Sequence, residues 1–191
     1  VAAACAGGCR WVSLREKALS ELDQLALFAR LRTVTAPFGA RLTLHGDPAL
    51  AHAAGADGVH LPDGASPAHA RALLGTGALV GLSGHRVADA AALDPAPLNY
   101  ITASPAFLTA SKPGYGPALG LEGLRTFAAA APIPVIALGG IAAETAGSCR
   151  QAGAAGLAVM GGVMRAADPA QEFRVLLQAF GRGDARPSPS S

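Results

Sequence analysis

"AGADGVHL" at residues 54–61 and "AGAAGLAV" at residues 152–159 are two copies of one device. In each, a glycine closes a helix and a second glycine opens a short apolar strand. Outward from these two points the same alternation recurs along the chain. Strands are predicted at "RWVSL" (10–14), "RLTL" (41–44), "GVHL" (58–61), "LVGLS" (79–83), "NYITA" (99–103), "PVIAL" (134–138) and "GLAVM" (156–160). Helices are predicted over 20–36, 47–54, 67–74, 86–93, 121–130, 142–152 and 168–180. Asp47-Pro48 and Asp168-Pro169 fit helix starts, with the acid as N-cap and proline at the first helical position. Strands alternating with helices build βαβ units and a parallel sheet.

Evenly spaced βα units fit either an open doubly wound sheet or a (β/α)8 TIM barrel. No GxGxxG follows the first strand, so the dinucleotide form of the open sheet lacks its phosphate loop. A barrel places its chemistry on loops after the strands' C-terminal ends and often binds phosphate after the last two strands. Gly139-Gly140 and Gly161-Gly162 stand there. Paired glycines let backbone N–H groups approach an anion, and they also serve as plain turns. A full barrel needs eight strands, whereas "VAAACAGG" at the start reads as the end of a helix and is not preceded by Met. The expectation is therefore an α/β barrel apparently lacking its N-terminal first strand. Residues 1–181 would form one domain and 182–191 a flexible tail.

Composition narrows the function. The 191 residues are 51% apolar and 15% charged, the profile of a folded globular domain. A net charge of +2 gives no reason to expect nucleic acid or a membrane surface as partner. The most apolar window, "FAAAAPIPVIALGGIAA", is cut by Pro132, Pro134, Gly139 and Gly140, so it reads as a helix end, a turn and a buried strand. Nothing at the start has the basic-then-apolar order of a signal peptide. Cys5, Cys9 and Cys149 have neither disulfide-framework nor zinc-ligand spacing and read as small buried residues of a cytoplasmic protein.

Polar side chains recur where the strands end. Arg15, Glu16 and Lys17 follow the first strand, His45 and Asp47 the second, His60 and Asp63 the third, and Ser83 and His85 the fourth. After the fifth comes a long loop, "SPAFLTASKPGYGPALG" (104–120), with Thr109, Ser111 and a lone Lys112 among glycines and prolines. Two cations at one strand end plus a third on a loop suit a highly charged anion such as a diphosphate. The glycine-lined end suits a second, single phosphate. His60 reads equally as a core histidine or a ligand contact, and His85 as a helix cap. His52 and His69 fall on helices and take no role.

The ordered set "VSLREK", "GADGVHL", "GLSGH", "YITASPAFLTASKPG", "IPVIALGGI" and "AGAAGLAVMGGVMRAADP" resembles the thiamine phosphate synthase/TenI family, from about Gly8 to Pro169. The resemblance implies a Mg²⁺-using transferase of thiamine biosynthesis. Such an enzyme joins an aminopyrimidine methyl diphosphate to a thiazole ethyl phosphate and releases pyrophosphate. It implies that Arg15, Lys17, Ser83 and Lys112 act on the diphosphate. Ser13, His45, Thr109, Ala110, Ser111, Gly140, Met160 and Gly161 would line the substrates, the last six of them around the thiazole phosphate. The loop would close over both substrates and keep water from a pyrimidine-methyl cation.

Two departures from the family pattern bear on the metal. The family's Asn-Asp after the third strand of a complete barrel is His45-Gly46 here, and its Gly-Gln-Glu-Asp run is Pro62-Asp63-Gly64-Ala65. Asp47 and Asp63 stand close by, out of register, as the candidate Mg²⁺ carboxylates. Two alternatives stay open: a metal-free thiazole tautomerase of the TenI branch, and a barrel that binds thiamine precursors without turnover. The sequence leaves homo-oligomerisation open as well.

Overall fold

The computed structural model describes residues 1–108 and 117–182. Seven strands form one sheet: β1 (Trp11–Leu14), β2 (Arg41–His45), β3 (Gly58–Leu61), β4 (Leu79–Gly84), β5 (Tyr100–Ala103), β6 (Val135–Leu138) and β7 (Gly156–Ala158). Every pairing is parallel, and the strands lie side by side in chain order, β1 to β7. The helices are α1 (Ala2–Ala6), α2 (Glu21–Thr35), α3 (Pro48–Ala53), α4 (Pro67–Leu74), α5 (Val87–Ala91), α6 (Gly120–Ala130), α7 (Ala143–Gln151), α8 (Gly161–Arg165) and α9 (Pro169–Arg182). All seven expected strands are present, and "VAAACAGG" does hold a short helix. β1 and β7 are the two ends of the sheet, with no ladder joining them among the described residues.

The helix starts follow the local chemistry. Asp47 accepts a hydrogen bond from Ala49 N–H at 2.7 Å and Ser66 one from His69 N–H at 3.3 Å, each just before a proline that opens its helix. Asp168 likewise accepts from Ala170 and Gln171 N–H ahead of Pro169. After α3 and α7 the chain turns through Gly55 (φ 60°) and Gly153 (φ 97°), the left-handed geometry that the repeated device required. Two details differ from expectation. The last strand stops at Ala158, so Met160 belongs to the start of α8. α8 itself was not expected, because five residues opening on Gly-Gly carry no helical periodicity. The expected tail, 182–191, lies beyond the described residues apart from Arg182, which ends α9.

Alternation along the strands separates two environments. Leu42, Leu44, Val59, Leu61 and Val80 face the helices and bury against Phe28, Leu50 and Ala70. Ile101, Ala103, Val135 and Ala137 do the same against Leu124, Phe127 and Cys149. The side chains between them point inward. There Trp11 of β1 meets Tyr100 of β5 edge-on, ring centroids 4.8 Å apart, although three strands separate them in the sheet. Only a sheet curled toward a barrel brings those two rings together. The three cysteines are buried free thiols, as expected, and burial pushes Cys149 up to about 11. Among the described residues no helix is long and apolar enough to cross a membrane.

Candidate active site

Inside the curl, the aromatic layer continues as a hydrogen-bonded chain. Trp11 Nε1–H donates to Thr43 Oγ1 at 2.9 Å. Tyr100 stacks on His60, centroids 5.5 Å apart, and its Oη lies 2.9 Å from His60 Nδ1. The other ring nitrogen, Nε2, lies 3.0 Å from Ser83 Oγ. Register puts these groups side by side, because His45 pairs with His60, His60 with Gly81 and Gly81 with Tyr100. Burial, followed by the nearby charges of His45 and Arg15, pushes His60 down to about 3. The imidazole is therefore neutral near pH 7, so it donates one of its two hydrogen bonds and accepts the other.

This depression has a measurable consequence. The unfolded chain takes up a proton at His60 near pH 6.5, whereas the folded chain resists until about pH 3. Stability contributed by His60 is thus full above pH 6.5 and drains as pH falls, by up to about 1.4 kcal/mol per pH unit. Urea unfolding of the wild type and His60→Gln from pH 7 to pH 4 should show their stability difference shifting against the wild type by that slope. A difference that stays constant over the range would mean that folded His60 titrates normally.

Above the chain opens a cavity of about 290 Å³. Arg15, Lys17, His45, His60, Pro62, Asp63, Ser83, His85, Thr102, Ser104 and Leu138 line it. The strand-end residues of β1 to β4 therefore do converge, with Arg15 and Lys17 exposed at the rim. His85 does more than end a strand. Its Nδ1–H donates to the Ser104 carbonyl at 2.7 Å, tying β4 to the chain leaving β5, while Asp89 reaches back to the His85 and Arg86 N–H groups.

Other expected residues stand apart from the cavity lining. Ser13 is an exposed residue of β1 paired with Thr43. Asp47 caps α3. Gly140, Met160 and Gly161 sit at the ends of β6 and β7. At Gly140 (φ 63°) a Cβ would lie 2.4 Å from the Leu108 carbonyl oxygen, so the neighbouring chain itself requires glycine there. Thr109, Ala110, Ser111 and Lys112 lie outside the described residues. On either side of them the chain is tied together, with Leu119 N–H donating to Pro105 O and Gly120 N–H to Ala106 O, both at 2.9 Å. Tyr100, Thr102 and Ser104 were not among the expected site residues. The signal available for the first two was their alternation with Ile101 and Ala103, which turns them inward.

The metal fit is narrow. Among the described residues no three His, Cys, Asp or Glu side chains gather into a metal cage. Asp63 is the one carboxylate lining the cavity among the described residues, and one oxygen of Asp47 is occupied at its helix cap.

Comparison with known proteins agrees with this arrangement. A family model described as thiamine monophosphate synthase matches residues 1–163. A thiamine-phosphate synthase of Albidiferax ferrireducens is 39% identical over 94% of this chain and 84% of its own length. One of Methanoculleus marisnigri is 37% identical over 91% and 82%. Among solved structures, thiamine phosphate pyrophosphorylase from Pyrococcus furiosus superposes with a TM-score of 0.84 and 25% identity, covering 96% of this chain and 89% of that one. A seven-stranded curled sheet with a cationic, polar cavity at its strand ends, matched over nearly its whole length, belongs to the thiamine monophosphate synthase family.

Proposed function

We propose that the protein couples an aminopyrimidine methyl diphosphate to a thiazole ethyl phosphate, releasing pyrophosphate and forming thiamine phosphate. The observation that carries this reading is the pairing of Arg15 and Lys17 at the rim with Ser83 inside the same cavity. As the C–O bond to the diphosphate breaks, negative charge grows on the leaving oxygens. Arg15 meets such oxygens with a planar fork and Lys17 with a point charge, so both bind the departing group more strongly than the intact ester. With Tyr100 donating to His60 Nδ1, His60 donates from Nε2 to Ser83 Oγ. The serine's own proton then turns into the cavity, toward a phosphate oxygen. Once pyrophosphate has left, the thiazole nitrogen attacks the resulting pyrimidine-methyl cation and forms the new C–N bond. Lys112 and the hydroxyls of Thr109 and Ser111 complete the phosphate contacts in this reading, as do the glycines at Gly140 and Gly161 beside Met160.

Mg²⁺, when bound, neutralises charge on the diphosphate. A site with a single lining carboxylate among the described residues would suit an ion held mainly by substrate oxygens, with Asp63 as its protein ligand. Asp63→Asn is accordingly expected to raise the Mg²⁺ concentration for half-maximal rate about tenfold. Asp47→Asn should leave it nearly unchanged. Metal titrations of the steady-state rate decide it, and an unaltered requirement in Asp63→Asn removes Asp63 as a ligand.

The direct test mixes both precursors, Mg²⁺ and protein and follows thiamine phosphate and pyrophosphate by chromatography. Equal amounts of the two products support the synthase. Isomerised thiazole without coupling points to a tautomerase, and binding without product to a non-catalytic barrel.

A further inference from the structure

We propose that Thr102 is a specificity-determining residue whose hydroxyl, on the floor of the cavity, hydrogen-bonds to an uncharged polar atom of the substrate's heteroaromatic ring. The proposal rests on the functional reading above and assigns one residue to one part of that substrate. Thr102 stands in the middle of β5, in register with Ser83 on β4 and Ile136 on β6. It is 4% exposed, yet its Oγ1 is the buried side-chain polar atom left without a hydrogen-bond partner among the described residues. Neighbouring interior groups have partners: Thr43 with Trp11, Tyr100 with His60, and Ser83 with His60. A buried, unpaired hydroxyl is destabilising, and valine would fill the same space without that cost. Threonine at 102 thus weakens the ligand-free fold at a position that lines the cavity.

The charge distribution says which part of the ligand meets it. The lining cations among the described residues, Arg15 and Lys17, are exposed at the rim, whereas His60, beside the floor, is neutral. An anionic group is drawn to the rim and an uncharged ring is left to the floor. A hydroxyl both donates and accepts, so Thr102 suits either a ring nitrogen or an exocyclic amine. The aminopyrimidine carries both.

The test uses Thr102→Val and Thr102→Ser in the full chain, with calorimetric titration of two probes, aminopyrimidine methyl diphosphate and inorganic pyrophosphate. Thr102→Val is expected to bind the pyrimidine about tenfold more weakly, to bind pyrophosphate as the wild type does, and to melt at the same or a higher temperature. Thr102→Ser should bind the pyrimidine as the wild type does. Unchanged pyrimidine affinity in Thr102→Val overturns the proposal, as does an equal loss for both probes. A wild type that binds pyrophosphate but not the pyrimidine overturns the proposed function itself.

Discussion

Arg15→Ala is expected to lower kcat/KM for coupling by about 10²- to 10³-fold, or roughly 3–4 kcal/mol of transition-state stabilisation. The guanidinium stands at the exposed rim of a cavity whose other lining cation among the described residues is Lys17, so its loss leaves half of the described positive charge. Arg15→Lys keeps the charge but not the planar fork, and about tenfold of the loss should remain. Because the side chain is exposed, the melting temperature should move by no more than about 2 °C. Steady-state kinetics with each substrate varied in turn, beside thermal melts, make the test. Wild-type kcat/KM in Arg15→Ala would take the residue out of the mechanism, and a collapsed melting temperature would mean that it serves the fold.

The second large effect lies one layer deeper. At Gly81 a Cβ would fall 2.0 Å from Tyr100 Cζ and 2.2 Å from Cε1. The ring has little room to retreat, since Trp11 packs on its edge and His60 on its face. Gly81→Ala should therefore cost about 3 kcal/mol, a fall of about 6–12 °C in melting temperature for a domain of this size. It should also cost activity, because a displaced Tyr100 no longer holds His60 against Ser83. Gly77→Ala is the control: nothing lies within 4 Å of a Cβ there, so it should change stability by less than about 0.5 kcal/mol. A Gly81→Ala protein as stable as Gly77→Ala would mean that the interior is looser than these distances imply.

The contrast between those two layers marks what a reader of the sequence can and cannot see. Polar groups at strand ends are visible one by one, and a barrel reading sends them to one mouth. That is how Arg15, Lys17, His45, Asp63 and Ser83 were reached, and all five line the cavity. Asp47 carried two readings, helix cap and metal carboxylate, and the structure shows the first, with one of its oxygens taken by Ala49 N–H. The interior was harder. Tyr100 and Thr102 alternate with apolar neighbours, which shows that they face away from the helices. What they meet there depends on how far the sheet curls, a property of seven strands together. The contact of Trp11 with Tyr100 links residues 89 positions apart and has no local signature. Gly140 was legible as half of a glycine pair suited to an anion or a turn, but the Leu108 carbonyl that excludes a Cβ there belongs to another loop.

Trp11 also gives the molecule a built-in optical reporter. The chain contains a single tryptophan, so its indole emission comes from one known place, against Tyr100 and hydrogen-bonded to Thr43. Opening the curled sheet separates that pair and lets water reach the indole, which moves emission to longer wavelength. Intrinsic fluorescence therefore follows the closure of the β1–β5 interior with no label attached, a direct readout for each of the variants above.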